Sequence, residues 1–229
     1  MLKVRKDAIK VKTSEGMQSA GVLCNVGTFG LNLVHNMVSL EGAFHNVDFE
    51  TPIDLDIYLG KNINTPLYST PLAYFAYGAK NIRSVKLKCN NPNEQSIQFS
   101  NVFFGSSLEV IDLSEFVLTY TTFLQPFREC RQLVSIHGKM DFSAATNYGN
   151  AFMYCENLVD VEIKENSILL SIALGHCKNL SDKSIQSIID GLSNLTGQTA
   201  QTIIMHSNVK AKLTDEQLAQ ITSKNWTLA

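Results

Sequence analysis

A short phrase that recurs through the middle of the chain constrains the fold more than any other feature of the sequence. The clearest copy begins at Phe127 and reads F-R-E-C-R-Q-L-V-S-I, and a second copy begins 25 residues later at Phe152. A third copy, L-G-H-C-K-N-L from Leu174, has Leu in place of Phe. Two matches to F-x-x-C-x-x-L-x-x-I/V at a fixed period are typical of a stack of similar segments, each too small to bury its own apolar face.

Short strands of the form apolar-x-apolar accompany the phrase. Their predicted starts are Ile57, Val85, Ile111, Ile136, Val161 and Ile203, at intervals of 28, 26, 25, 25 and 42 residues. Because alternate side chains of a strand point to opposite faces, the apolar positions are predicted to point inward. Phenylalanines about nine residues upstream are predicted to fill the interior from the other side. They are Phe75, Phe103, Phe127 and Phe152.

Asparagines follow four of these strands, and an asparagine side chain at a turn bonds readily to backbone groups. Stacked copies are therefore predicted to form a hydrogen-bonded ladder. The four are Asn62, Asn90, Asn166 and Asn208.

The two ends of the chain differ from the middle. Residues 1–50 match the repeat poorly and contain short strand-like pieces, so they are predicted to form a β-rich cap or attachment region. Residues 51–229 are predicted to form the repeat array, with 181–229 as a helix-strand-helix cap. In that last part Ser181 is a predicted N-cap, and Thr214 with Gln217 forms a predicted capping box.

The charge and cysteine patterns restrict the possible partners and chemistry. The net charge is −2 and the sequence has no basic stripe, so nucleic acid is not an expected partner. No run of about 18 apolar residues predicts a membrane span, and no secretory signal follows the first residues. Three of the five cysteines, Cys130, Cys155 and Cys177, occupy the same repeat position. They are predicted to form a buried, reduced ladder, with a disulfide between stacked neighbours as the alternative.

These residues resemble those of leucine-rich repeat proteins. The Phe/Cys variant at a period near 25 is similar to the bacterial BspA-like, or treponemal-type, class. Residues 180–229 are similar to the C-terminal ends of such proteins in bacteriophages and prophages of gut Firmicutes. The resemblance covers roughly residues 70–229. It implies an α/β leucine-rich repeat solenoid, with short strands stacked in a parallel sheet, and a role in binding, as an adhesin or a tail-associated phage protein.

The outward positions of the predicted strands form the candidate binding surface, since the strand face of a curved solenoid is its usual contact surface. The alternative is an ordinary solvated sheet face. The candidate residues are Tyr58, Lys86, Lys88, Asp112, Ser114, His137, Glu162, Lys164 and His206, with Ile204 beside them. Their mixed polarity is compatible with a protein or a glycan as the ligand.

No sequence motif indicates catalysis. His137 and His206 have no nucleophile or carboxylate at a supporting spacing, and neither a nucleophile elbow nor a phosphate-binding glycine loop is present. No cofactor or metal is expected. An enzyme that uses the repeats as a substrate scaffold would need its active site in residues 1–50. The side chains available there are Cys24, His35, His45, Asp48 and Glu50.

The sequence therefore predicts a non-enzymatic binding or structural protein. Its expected location is a phage tail or virion surface, where it contacts the host, and it would stay in the cytoplasm until assembly or release. A bacterial cell-surface adhesin and an intracellular scaffold are the alternatives. The expected partner is a protein or glycan on a host or neighbouring cell, and residues 1–50 are expected to join other virion proteins.

Overall fold

Most strand pairs among the described residues are parallel. The computed structural model describes residues 10–13, 16–19, 23–25, 28–33, 37–59, 72–89, 96–116 and 119–229. The strands are β1 (Lys10–Thr13), β2 (Gly16–Ser19), β3 (Leu23–Asn25), β4 (Thr28–Leu33), β5 (Met37–Ser39), β6 (Asp48–Leu59), β7 (Lys80–Cys89), β8 (Ser96–Gln98), β9 (Val110–Phe116), β10 (Thr119–Thr122), β11 (Ser135–Met140), β12 (Asp160–Ile163), β13 (Ile172–Leu174), β14 (Gln201–Met205) and β15 (Trp226–Leu228). The helices are α1 (Asp182–Gly191), α2 (Ser207–Lys210) and α3 (Asp215–Ser223). The protein is thus of the α/β class, with a mostly parallel multi-strand sheet.

The largest sheet has seven strands in the order β12-β11-β9-β7-β6-β4-β3. All neighbouring strands are parallel except β3 and β4. The first five predicted strand starts lie in β6, β7, β9, β11 and β12. The paired row that crosses the sheet is Leu55, Val85, Ile111, Ile136 and Val161, all buried. Leu55 therefore takes the place predicted for Ile57, a shift of two residues that keeps both side chains on the inner face.

A row of phenylalanines packs behind this sheet. Successive ring centroids of Phe44, Phe75, Phe103, Phe127 and Phe152 lie 5.1, 6.0, 5.9 and 6.1 Å apart. All five rings are buried, so the predicted interior role of the last four is confirmed. The sequence did not predict Phe44. Together with β6, which starts before residue 51, Phe44 extends this packing across the predicted boundary at residue 50, and the division into domains stays a prediction.

The register of the phenylalanine side is set by backbone hydrogen bonds between successive segments. Phe44 N donates to Phe75 O at 2.7 Å, and Ala76 N donates to Val102 O at 2.7 Å. The next segment continues the ladder with Phe103 N and Pro126 O at 2.9 Å. Ala76 is thus the backbone equivalent of Phe44 and Phe103. The ring at this point of the row belongs to Phe75, the residue before Ala76.

The cysteines form the buried column predicted for them. Each thiol donates to the carbonyl of a phenylalanine in the preceding segment: Cys130 to Phe103, Cys155 to Phe127 and Cys177 to Phe152, at 2.9, 3.0 and 3.7 Å. Ser106 continues the column, with its Oγ 3.6 Å from Cys130 Sγ. All three cysteines are free and buried, so the reduced ladder describes their state in this structure.

The predicted asparagine ladder is wrong where the structure describes it. Asn166 and Asn208 are exposed, and Asn208 lies inside α2. Asn62 and Asn90 lie outside the described residues. Two other amides, each two residues after a cysteine, link successive segments instead. Asn157 Nδ2 donates to Arg131 O at 2.8 Å, and Asn179 Nδ2 donates to Glu156 O at 3.1 Å.

After β12, the order of strands and helices differs from that of the preceding repeats. From Cys155 to Cys177 the spacing falls from 25 to 22 residues, and the position of the next strand is occupied by α1. The last residue of β13, Leu174, stands as far before Cys177 as Phe152 stands before Cys155. Strand β13 therefore lies on the phenylalanine side of the packing. It pairs in parallel with β14, which pairs with β15 in a separate sheet. The strand predicted at Ile203 is therefore real but belongs to another sheet.

Helix α1 covers the edge of the seven-stranded sheet. The hydroxyls of Ser184 and Ser187 accept hydrogen bonds from the N–H groups of Val161 and Ile163 on β12, both at 2.9 Å. These two N–H groups would otherwise lie unpaired at a sheet edge. Ser181 is the N-cap of α1, as predicted. The capping box of α3, formed by Thr214 and Gln217, is also confirmed.

Candidate binding surface

The outward side chains of the seven-stranded sheet form one face, called the strand face below. Strand pairing places Asp56, Lys86, Asp112 and His137 in one row across β6, β7, β9 and β11. Ser114 is exposed on β9, and Glu162 lies on β12. Lys88 is on β7, and Tyr58 is on β6 with a side chain outside the described residues. The sheet thus brings most of the predicted site residues onto one surface.

Two predicted residues lie outside the strands of this sheet. Lys164 immediately follows β12, is exposed, and places its Nζ 2.6 Å from Asp141 Oδ2. His206 follows β14, and its Nδ1 accepts a hydrogen bond from Asn208 N at the start of α2. Because β14 belongs to the three-stranded sheet, His206 and its exposed neighbour Ile204 do not share the strand face. Helix α1, and not a further strand, lies beside β12, so β14 pairs with β13 and β15.

Opposite charges alternate along the strand face and pair with one another. Lys86 Nζ lies 3.3 Å from Asp112 Oδ2 and 2.6 Å from Glu115 Oε1. Lys88 Nζ lies 3.0 Å from Asp56 Oδ2. Exposed pairs of this kind add little stability. They leave the strand face close to neutral, with its charges directed at their neighbours.

These contacts keep the carboxyls ionised. The hydrogen bond from Arg83 is the largest effect on Asp54 and holds the pKa of that carboxyl below its usual value. Burial acts to raise the pKa of Asp112, but hydrogen bonds from Ser114 and Lys86 outweigh it and the pKa is lowered. Lys183 bonds to Glu162, which lowers the pKa of that carboxyl and raises the pKa of the lysine. The face carries fixed charges at neutral pH.

A bulge in β11 presents His137 to solvent. Ile136 pairs with Val161 and Lys139 pairs with Glu162, so two residues of β11 have no counterpart on β12. One of them, Gly138, has a φ of +97°, and a Cβ there would lie 2.7 Å from the carbonyl carbon of Leu113. Only glycine fits this close approach. Bulges of this kind re-aim side chains and are frequent beside functional sites.

Two adjoining cavities lie between this bulge, β12 and helix α1. One has a volume of about 390 Å³, and its lining includes Lys139, Glu162, Lys183, Gln186, Ser187 and Asp190. The other has a volume of about 320 Å³, and its lining includes His137, Gly138, Asp160, Glu162, Lys183 and Ser184. Both share the ion pair between Lys183 and Glu162. Together these cavities are called the α1 groove.

Sequence reasoning found only two residues of the α1 groove, His137 and Glu162. It missed Asp160, Lys183 and Gln186 because the segment after Leu180 was interpreted as an end cap. A signal was present in the sequence. Ile185, Ile188 and Ile189 form an apolar stripe with helical spacing, which indicates a helix. This helix lies at the position where the repeat would place the next strand.

Rings also stack on the outside of the phenylalanine side. Tyr77 and Phe104 are parallel with centroids 4.8 Å apart, and His45 meets Tyr77 edge-on at 5.2 Å. The guanidinium carbon of Arg128 lies 5.3 Å from the Phe104 centroid. These groups cover one another's faces, so they act as a packed array.

The residues proposed for an enzyme in residues 1–50 form no described catalytic arrangement. His45 is exposed against Tyr77, and Asp48 accepts a hydrogen bond from Asn81 Nδ2 at 3.1 Å. His35 lies outside the described residues, as do the side chains of Cys24 and Glu50. Among the residues that the structure describes, no cluster of three or more His, Cys, Asp or Glu side chains is arranged to hold a metal ion.

Comparison with family models, with curated proteins and with solved structures gives no match for this chain. Within the described residues, no helix has the length and apolar character needed to cross a membrane.

Proposed function

We propose that this protein is a non-enzymatic recognition module, a short leucine-rich repeat solenoid that binds a protein or glycan through its strand face and the α1 groove. The observation that carries the proposal is the paired row of residues that crosses the seven-stranded sheet. Leu55, Val85, Ile111, Ile136 and Val161 occupy equivalent places in adjacent strands. Such stacking turns polar residues that are about 25 positions apart in sequence into one continuous surface.

The biological setting in this proposal is the surface of a phage tail or virion, with the host cell as the source of the ligand. The support is the resemblance of the repeat phrase in residues 70–229 to the repeats of BspA-like proteins. A bacterial cell-surface adhesin is the other setting, and neighbouring genes for tail and capsid proteins would distinguish the two. In both, the strand face carries out the recognition.

An exchange of paired charges tests the strand face. The double variant K88D/D56K keeps the ion pair between Lys88 and Asp56 but reverses its direction, so folding is expected to survive. The matched control, R131E/E156R, reverses the 2.6 Å pair of Arg131 and Glu156, which lies outside the strand face. Host-cell pull-down and biolayer interferometry should show lost binding for the first variant alone. Equal binding by both variants and the wild type would remove the strand face from the proposal.

A further inference from the structure

We propose that the ligand of the α1 groove is an uncharged, hydroxyl-rich oligosaccharide. This inference rests on the proposed recognition function and names the ligand class of one part of that surface. The groove has the concave form that ligand sites require, and each of its two cavities reaches the size of a small-molecule site.

The side chains that line the groove are mostly polar or charged. Its apolar members, Ile136, Val161 and Ile163, are only 2, 2 and 3% exposed. The polar groups are the carboxylates of Asp160, Glu162, Glu165 and Asp190, the Gln186 amide, the His137 imidazole, and the ammonium groups of Lys139 and Lys183. Carboxylates and amides have two polar atoms side by side, which matches the paired hydroxyls of a sugar ring.

The main modes of peptide recognition do not fit this groove. Strand addition to β12 is blocked, because Ser184 and Ser187 already occupy its N–H groups. An amphipathic helix or a proline-rich segment needs apolar or aromatic pockets, and no aromatic residue lines either cavity. A phosphorylated motif needs clustered arginines, which the lining of both cavities also lacks.

The charge pattern favours a neutral ligand over an anionic one. The groove is lined by more carboxylates than ammonium groups, and one of the two ammonium groups, that of Lys183, is paired with Glu162. Asp160 Oδ1 accepts a hydrogen bond from Ser181 at 3.0 Å. Asp190 Oδ1 accepts hydrogen bonds from Gln186 and Gln220 at 2.8 and 2.9 Å. These contacts fix the orientation of the acceptors before a ligand arrives.

The test is an array of immobilised neutral hexose oligosaccharides, with carboxylated and sulfated counterparts, probed with the full chain. Wild-type protein should bind neutral members, and binding should persist at high salt. The variant E162Q should lose roughly tenfold or more in affinity, because a lost acceptor leaves sugar hydroxyls unpaired. The control E156Q removes a carboxylate of similar exposure, 36% against 34% for Glu162, outside the groove. It should bind within about twofold of wild type.

Three results would overturn the proposal: no binding to neutral sugars, binding to charged sugars alone, or equal losses in E162Q and E156Q. Urea unfolding of both variants excludes a folding defect as the cause of lost binding. The host-cell pull-down described above separates the two proposals. If the protein captures a host protein and no neutral sugar, the sugar assignment fails and the recognition function stands. If it captures neither, both fail.

Discussion

At the scale of single residues, the cysteines show how stacking determines reactivity. Burial raises the pKa of Cys130 and Cys177 to about 12, and burial is also the largest cause of the raised pKa of Cys155. The thiolate is the reactive form of cysteine, and these three are both protonated and inaccessible. The column is therefore a packing device.

We predict that Cys130, Cys155 and Cys177 resist iodoacetamide in the folded protein and become labelled only as urea unfolds it. The reason is that labelling requires an opening that exposes the interior. Mass spectrometry of peptides would follow each cysteine separately, with Cys24 and Cys89 scored apart. Rapid labelling of any of the three without urea would contradict the buried column.

Lys224 has a role that its position in the sequence did not reveal. A lysine at the C-terminal end of a helix such as α3 is usually a favourable charge for the helix dipole. The ammonium of Lys224 instead donates to the carbonyls of Ile189, Asp190 and Leu192 at the end of α1, at 3.0, 3.1 and 2.7 Å. Terminal carbonyls of a helix have no partner within the helix. One side chain therefore closes α1 and joins it to α3.

Replacing Lys224 by Met should lower the free energy of unfolding by about 1–3 kcal/mol, because partly buried carbonyls would lose their donor. Urea unfolding followed by circular dichroism measures the change. Lys210→Met is the control, since Lys210 is exposed in the last turn of α2. A K224M protein as stable as K210M would show that these hydrogen bonds contribute little.

Local chemistry at single positions was readable from sequence. Ser181 and Thr214 are caps because short polar side chains before an apolar helical stripe have few other uses. Asn225 has a φ of +63°, the left-handed conformation that asparagine adopts readily after a helix. The long reach of Lys224 and the offset of Phe75 could not be predicted, because both depend on which segments become neighbours.

At the scale of elements, the decisive event is the replacement of a strand by α1 beside β12. A parallel sheet would otherwise end in an open edge. The sheet ends here because two serines of a helix supply the acceptors that another strand would have supplied. Helix α1 also forms the second wall of the α1 groove. The end of the sheet and the candidate site therefore have the same structural cause.

Ser184→Ala tests this arrangement. Ser184 is 2% exposed, and its loss leaves the N–H of Val161 without an acceptor. We expect a destabilisation of about 1–3 kcal/mol and faster hydrogen exchange at the Val161 amide. Ser207→Ala, at an exposed position of α2, is the control. Unchanged exchange at Val161 would mean that α1 does not close the edge.

The element predictions held where the period was constant and failed where it changed. Four strand starts from Val85 to Val161 pair in register because their spacing stays near 25. The sixth, at Ile203, was assigned to the same series although its interval was 42. The shorter spacing between Cys155 and Cys177 indicates in the sequence that the repeat changes here. The cysteine column must stay in register for the thiols to remain buried, so a change of spacing means that the segment between them has changed.

At the scale of the whole molecule, paired charges make stability depend on acid. The pKa values of Asp54, Asp112, Asp141 and Glu162 all lie below their ordinary values. A carboxyl whose pKa is lower in the folded than in the unfolded state stabilises the fold fully above the unfolded pKa. That contribution is lost as the pH falls through the folded pKa.

The urea midpoint should therefore fall as the pH drops from about 5 to about 2. Asp54→Asn should reduce stability at neutral pH and flatten the acid dependence, because Asp54 bonds to Arg83 and Ser84 only as a carboxylate acceptor. Measuring midpoints of both proteins across this range checks the prediction. Parallel curves for wild type and D54N would show that Asp54 contributes nothing to the acid response.

The candidate surface was only partly predictable at this scale. Outward positions such as Lys86 and Asp112 follow from strand alternation alone, so the strand face could be inferred from the sequence. The α1 groove could not be, since it requires that a bulge at Gly138, an edge strand and a helix meet. Gly138, β12 and α1 are well separated in the sequence and become neighbours only through the stacking of segments.

The most direct test of this account is a measurement of the stacking itself by disulfide trapping. Paired positions in neighbouring strands lie about 5 Å apart and suit a disulfide, whereas positions two strands apart, at about 10 Å, do not. In a background with Cys24 and Cys89 replaced by Ser, the pairs K86C/D112C and D112C/H137C should cross-link under mild oxidation, and K86C/H137C should not. Cross-linking of K86C/H137C, or failure of both adjacent pairs, would contradict the register on which the strand face and the proposed function depend.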